Sequence, residues 1–483
     1  MSKSYMDFFR EISAVPRGSG YNEKISNYLV NFAKERGLSY IQDESLNVII
    51  KKEKHPDYKG DDVYIIQGHM DMVCEKVSGS SHDFENEGLE LIEKDGFLSA
   101  KDTTLGADDG ICVAYALALL DSDSLVLPGL EVIITTDEET GMFGAKAIDV
   151  SGLKGYKVIN IDSEDEGVII AGCAGGIRVR LSRSFTPEKL QLSKNSKLVN
   201  YKIYGLKGGH SGDKIGEGRS NAVYTMFRAL DEFMELASIH IQSVIGGNKD
   251  NAIPNECSAR IIINTDNPHE TDKYLSNLKN ISENIKQELK ASEPGLKYDI
   301  IVDDNNDSFK EAMVIPSKAF EDIKNFIIVA PNGVCSRTYN RQELVESSLN
   351  LGILGLNTES LDMVYSVRSS VKSKKNHIVN ILRKCAKAYN IAFETGGDYP
   401  AWEYRENSDF RDGVVKTYKE MYNEEPKVDI IHAGLECGIL SEKRPDFDII
   451  SIGPDIYDIH TVNERLDLKS AERVYEFLVK VLT

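Results

Sequence analysis

Short, unbroken apolar runs punctuate both ends of the chain, at residues 63–66, 131–136, 157–161 and 448–452. Their length and apolar continuity predict strands covered on both faces, as in sheets that are mainly parallel. Each run stops at residues able to hold a cation or move a proton. Gly68, His69 and Asp71 follow the first, and Asp137-Glu138-Glu139 the second. Asp162-Ser163-Glu164 follows the third, and His460 lies in a Gly/Pro-containing loop after the fourth. Residues two apart in extended chain point to one side, so His69 and Asp71 belong together. Amphipathic spacing predicts helices over 4–13 and 21–36, with Gly37 placed to end the second. A strand is expected over 47–51, and loop with a short hairpin turning at Asp95-Gly96 over 76–107. The segment Gly106-Ala107-Asp108-Asp109-Gly110 runs directly into an apolar helix over 111–120. One Asp at a helix start is accounted for by N-capping, and a second is left free.

From about residue 184 to 395 the pattern changes. Strands are expected over 199–204 and 259–264, and helices over 222–236 and 270–291. A similar order follows: an apolar-periodic stretch over 317–329, strands over 347–351 and 363–368, and a helix over 375–389. This faint replay suggests a doubled α+β unit. Residues 396–483 return to the first style and close on a helix over 469–482. The predicted architecture is an α/β catalytic domain with a mixed, mainly parallel sheet flanked by helices. It is made of residues 1–183 and 396–483, with an inserted α+β lid domain at 184–395.

Composition narrows the function classes. The chain has 483 residues, 41% of them hydrophobic, and a formal net charge of -20. That charge disfavours nucleic acid and anionic membrane as partners. Seven scattered cysteines without CxxC spacing fit reduced, cytoplasmic usage. The first seven residues contain no apolar signal core, and no run reaches the roughly 18 apolar residues a membrane span needs.

His69, Asp71, Asp108, Glu138, Glu139, Asp162 and His460 exceed the three protein ligands of a mononuclear zinc site. They suit two ions sharing a carboxylate, with groups left for acid–base work. Ions about 3.5–4 Å apart polarise a carbonyl and lower the pKa of water. No GxSxG elbow, P-loop or dinucleotide fingerprint offers a competing chemistry.

These residues carry a resemblance. The blocks around His69, Asp108, Glu138, Asp162 and His460-Thr461-Val462-Asn463-Glu464-Arg465 resemble the co-catalytic zinc peptidases, which include carboxypeptidases, aminoacylases and dipeptidases. Gly205-Leu206-Lys207-Gly208-Gly209-His210-Ser211-Gly212 and His432-Ala433-Gly434-Leu435-Glu436-Cys437-Gly438 resemble, more narrowly, the bacterial aminoacyl-histidine or cytosol non-specific dipeptidases. The resemblance implies two divalent ions, zinc foremost with cobalt or manganese as alternatives. It makes Asp108 the bridge, His69 and Asp162 the remainder of one site, and Glu139 and His460 the remainder of the other. Asp71 would orient His69 and Glu138 would be general base and acid. Relatives often have Asn after the bridging Asp. Asp109 stands here instead and is read as the helix cap, although the two acids are interchangeable on sequence grounds.

The resemblance further implies that His210 steadies the scissile carbonyl oxygen and that Asn251 contacts substrate. Arg368 and Gly434 would hold substrate carboxylate. The expected substrates are unblocked dipeptides, Xaa-His among them, and relatives are often homodimers. Two rivals remain: an aminoacylase or carboxypeptidase on the same scaffold, and a metal-binding module without catalysis.

Overall fold

The computed structural model describes residues 3–303 and 310–483. Met1 and Ser2, part of the segment read for a signal core, lie outside them. The chain divides into two compact units, Met1–Cys173 with Trp402–Thr483, and Ala174–Ala401.

Among the described residues, the first unit is built on an 8-stranded sheet. From one edge its order is Ser39–Gln42, Val48–Lys52, Gly129–Thr135, Val63–His69, Lys157–Asn160, Asp448–Ser451, Val168–Cys173 and Lys427–Ile431. Val63–His69 lies in the middle, parallel to both neighbours. The expected mixed, mainly parallel sheet is therefore present. Alternation sorts the strands' side chains into two cores. Val48, Ile50, Ile66, Val132, Ile134, Ile159 and Ile450 face one way. They pack with residues of the helices Tyr5–Ser13, Glu23–Glu35, Ala107–Asp121, Asp409–Tyr422 and Leu468–Leu482. Ile49, Ile65, Ile133, Val158 and Ile449 face the other way, with Cys437 and Leu440 of the helix Glu436–Lys443. Helix Ala107–Asp121 is apolar all round from Ile111 to Leu120, and every residue from Asp109 to Leu120 is buried.

The second unit carries a 9-stranded antiparallel sheet among the described residues. Lys297–Asp303, Lys197–Tyr204, Cys257–Ile263 and Ile239–Gly246 form one half. Arg341–Leu356, Ser360–Ser369, Gly175–Ser184 and Ala392–Tyr399 form the other, and Gly333–Thr338 pairs on Arg341–Leu356. The halves join where Val244, Ile245 and Gly246 oppose Leu356, Gly355 and Leu354. Helices Ala222–Met234 and Pro268–Glu288 belong to the first half by sequence, and Ser317–Val329 and Lys372–Ala388 to the second. The two halves thus hold four and five strands with two helices each, and Gly175–Ser184 of the second half precedes the first half in the chain.

The boundaries differ from the expected 183/184 and 395/396. Strand Gly175–Ser184 pairs over its whole length with Ser360–Ser369, so it belongs to the insertion. Ala392–Tyr399 pairs with Gly175–Ser184 on its other side. The insertion therefore runs from Ala174 to Ala401. Where it leaves and rejoins the first unit, Cys173 and Trp402 exchange two main-chain hydrogen bonds of 2.9 and 3.1 Å.

Candidate metal centre and active site

His69 is the last residue of the central strand Val63–His69. Gly68 precedes it for a steric reason. A Cβ there would fall 2.1 Å from Asp109 Oδ2 and 2.5 Å from Cys112 Sγ. The parallel neighbours Gly129–Thr135 and Lys157–Asn160 end at the same side. They deliver Glu138, Glu139 and Asp162 there, as open α/β sheets do at strand carboxyl ends. Asp108 arrives from the start of Ala107–Asp121, where its backbone is not helical (φ -79°, ψ 109°).

The donors converge around Asp108. Its Oδ1 lies 3.1 Å from His69 Nε2 and its Oδ2 lies 3.1 Å from His460 Nε2. One carboxylate thus faces two imidazoles with different oxygens. His460 Nε2 is also 3.0 Å from Glu139 Oε1, and His69 Nε2 is 3.7 Å from Asp162 Oδ1. Three overlapping groups place potential ligand atoms within 4.8 Å of one another: His69, Asp109 and Asp162; His69, Glu138 and Glu139; Asp108, Glu139 and His460.

Electrostatics agree with a cation-seeking site. Burial, then neighbouring negative charge, pushes the carboxyl groups of Glu138 and Asp162 above their ordinary range. Burial does the same at Glu139. His460 is pushed up to about 11 by hydrogen bonding to Asp108 and Glu139. So many acids buried together repel one another unless positive charge joins them. The donor set therefore fits divalent ions.

Asp71 is fully buried. Burial pushes its carboxyl up, but hydrogen bonds from His69, Ser19 and the Glu138 amide outweigh that and hold it below its ordinary value. Its carboxylate oxygens lie 3.4 Å from His69 Nδ1, 2.8 Å from Ser19 Oγ and 3.1 Å from the Glu138 amide, and its main-chain carbonyl lies 3.1 Å from the same Nδ1. It therefore steadies the imidazole and the Glu138 turn together. Asp109 departs from expectation: it sits with Asp108 at a kink where the backbone is not helical, and its Oδ2 accepts the His69 amide at 3.1 Å.

In the second unit, the ribbon Gly209–His210 with Ala252–Ile253 brings His210 beside Asn251. Ser211 donates its amide to Asn251 O at 2.8 Å. His210 Nδ1 is 3.3 Å from Asp213. Arg368, 8% exposed, donates to Tyr399 Oη at 3.0 Å, while its Nε has no partner. The positive charge of Arg368 reaches Asp213, so Arg368 and His210 share one electrostatic neighbourhood. Gly434 belongs to the first unit, two residues before the helix Glu436–Lys443.

Among the buried charged residues of the first unit to which sequence reasoning gave no role are Arg17, Glu436 and Glu464. Glu436 Oε2 accepts Gln67 Nε2 at 2.5 Å and Thr135 Oγ1 at 2.6 Å, and Gln67 Oε1 accepts Asn160 Nδ2 at 2.7 Å. This polar chain lies across the middle strands at their carboxyl ends. Glu436 and Glu464 stood inside recognised blocks, and that position was the one available signal. Arg17 had none.

Comparison with known proteins gives four matches. The model of a family described as Peptidase family M20/M25/M40 matches residues 65–483. The cytosol non-specific dipeptidase of Escherichia coli (strain K12) is 33% identical over 482 residues, 99% of this chain and 96% of that protein. The crystal structure of aminoacylhistidine dipeptidase from Vibrio alginolyticus superposes with TM-score 0.88 at 30% identity, covering 99% of this chain and 96% of that one. Aminopeptidase PepT of Bacillus cereus shares the fold, with TM-score 0.56 at 14% identity, over 100% of this chain and 98% of its own.

Proposed function

The chain belongs to peptidase family M20/M25/M40, and from that membership we propose that it is a dinuclear metallo-dipeptidase hydrolysing unblocked dipeptides, Xaa-His among them. The observation that carries this reading is the Asp108 carboxylate, 3.1 Å from each of two imidazoles through different oxygens. In the proposal, His69 and Asp162 complete one site, and Glu139 and His460 the other. Zinc is the proposed metal, with cobalt or manganese the alternatives. Bound there, two divalent ions supply Lewis acidity toward the scissile carbonyl and lower the pKa of water.

The protein's own groups do the rest. Glu138 takes the proton from the attacking water and returns it to the leaving nitrogen. Its burial supports this role, because a carboxyl lifted above its ordinary range holds a proton long enough to deliver it. Asp71 keeps His69 in one orientation through Nδ1. Of the second unit's residues, His210 is assigned to the carbonyl oxygen, Asn251 to substrate contact and Arg368 to a substrate carboxylate; the main chain at Gly434, in the first unit, is likewise assigned to carboxylate binding. The buried, unpartnered Nε of Arg368 supports its role, since a guanidinium whose donors are not all satisfied suits a carboxylate.

A cytoplasmic location is part of the proposal, supported by the Escherichia coli relative's description as a cytosol enzyme. No helix among the described residues is long and apolar enough to cross a membrane. Sedimentation would decide between monomer and homodimer.

The test is hydrolysis of Ala-His, β-Ala-His, Leu-Gly, a tripeptide and an N-acetylated amino acid by metal-reconstituted protein, each with and without chelator. Chelator-sensitive cleavage confined to the free dipeptides is the expected result. Cleavage of the acetylated compound alone would replace the proposal with an aminoacylase. Two bound metals without turnover would make the chain a binding module.

A further inference from the structure

Glu464 and Arg17 lie against the segment that carries Asp108. The Glu464 carboxylate accepts three consecutive main-chain amides: Leu105 at 2.9 Å and Gly106 at 3.0 Å on Oε2, and Ala107 at 2.8 Å on Oε1. These are the residues immediately before Asp108. From another element, the Arg17 guanidinium donates to the carbonyl oxygens of Gly106 and, at 3.3 Å, Met70. Both side chains are 2% exposed. The negative charge of Glu464 acts on Arg17 more strongly than those of Asp71 and Asp109.

The glycines of the Asp108 block follow from this arrangement. A Cβ on Gly106 would lie 2.6 Å from Arg17 Nη2, and one on Gly110 would lie 2.5 Å from the same atom. Gly106 is also left-handed, at φ +64°. These two positions thus make room for a guanidinium, and the segment between them carries the bridging acid. Arg17 also holds Met70, between His69 and Asp71, and Glu464 lies four residues beyond His460. Four separate stretches of chain meet at this pair. Hydrogen bonds to ionised groups are about twice as strong as neutral ones, so three on one carboxylate fix a backbone firmly.

We infer that Glu464 and Arg17 are positioning residues: they clamp the backbone of residues 105–107 from both sides, so that Asp108 presents one oxygen to each imidazole. The inference rests on the dinuclear reading for its functional meaning, but its geometry can be tested without metal.

The experiment is amide hydrogen exchange at Leu105, Gly106 and Ala107 in the metal-free protein, followed by metal titration read by native mass spectrometry. Wild-type protein is expected to protect all three amides and to bind two ions. In Glu464→Gln, an amide group faces a main-chain donor where a carboxylate oxygen accepted it. Protection of the three amides should then fall at least about tenfold, and affinity for the ions that share Asp108 about 10–100-fold, the usual cost of losing a group that orients ligands. Arg17→Lys keeps the charge but cannot span both carbonyls, and should shift the same amides and the same affinities by less. A purely stabilising role would lower the melting temperature of both variants while leaving the affinity for both ions unchanged. That result, or wild-type exchange in Glu464→Gln, would overturn the inference. Should Glu464→Gln not fold, Arg17→Lys decides, and unprotected amides at 105–107 in the wild type would overturn the clamp without any variant. One ion per wild-type chain would instead sink the dinuclear reading, with exchange still deciding the clamp.

Discussion

Individual side chains at this centre have separable jobs. Glu138 lies beside the proposed ligand Glu139 and is assigned to proton transfer. Glu138→Gln should lower kcat by about 10²–10⁴-fold, the range for losing a general acid–base, while isothermal titration finds metal affinity unchanged. Lost metal would show Glu138 to be a ligand instead. Gly68→Ala tests close approach. The new methyl would meet Asp109 Oδ2 at 2.1 Å and Cys112 Sγ at 2.5 Å, neither of which has room to move in a buried core. Urea unfolding should show a loss of about 1–3 kcal/mol, typical of overpacking. Glu436 supplies a pH test. Burial lifts its carboxyl from 4.5 to about 8, so the folded chain keeps a proton that the unfolded chain releases. The stability this contributes is full below about 4.5 and is lost as pH rises through about 8. Metal-free wild type should therefore lose stability toward pH 8 relative to Glu436→Gln, by at most about 1.4 kcal/mol per pH unit. Parallel stability–pH curves for the two proteins would refute this.

At the scale of elements, helix ends and strand edges decide what could be read from the sequence. The central strands and the apolar helix were legible because a short, continuous apolar run leaves few alternatives. Their acidic ends were legible because buried acids need a partner. The strand Ala392–Tyr399 was not: it is an edge strand, mostly exposed and containing Gly396-Gly397, with no hydrophobic period to detect. Gly175–Ser184, which carries Arg178, Arg180 and Arg183, was not assigned as a strand from the sequence. The expected strand over 347–351 is the buried middle of a much longer one, Arg341–Leu356. At the site, the ligand candidates were legible by type and place. Arg17 and Glu464 were not, because their partners are main-chain groups; those of Glu464 lie more than 350 residues away. One element offers a direct stability test. Asp467 caps the helix Leu468–Leu482 by accepting the Lys469 and Ser470 amides. Asp467→Ala should cost about 1 kcal/mol in denaturant unfolding. A loss below about 0.3 kcal/mol would mean that water replaces the cap.

The whole molecule is a discontinuous unit interrupted by a continuous one. Every proposed metal ligand belongs to the first unit, whereas His210, Asn251 and Arg368 belong to the second. Joining Cys173 to Trp402 by a short linker in place of residues 174–401 should give a protein that folds and still binds two metal ions. It should not hydrolyse dipeptides. Loss of metal binding would show that the second unit is needed to form the centre.

The interruption also sets an order in time. On the ribosome, His69, Asp108, Glu139 and Asp162 emerge early, but His460 and Glu464 wait for the whole insertion and most of the last segment. At about 5–20 residues per second, roughly 300 intervening residues amount to a delay on the order of 15–60 s. Throughout that interval the nascent chain lacks both the second imidazole and the carboxylate that grips residues 105–107. Hydrolytic competence would thus be withheld until the insertion and the segment carrying His460 and Glu464 have both been made, a safeguard written into the order of the chain.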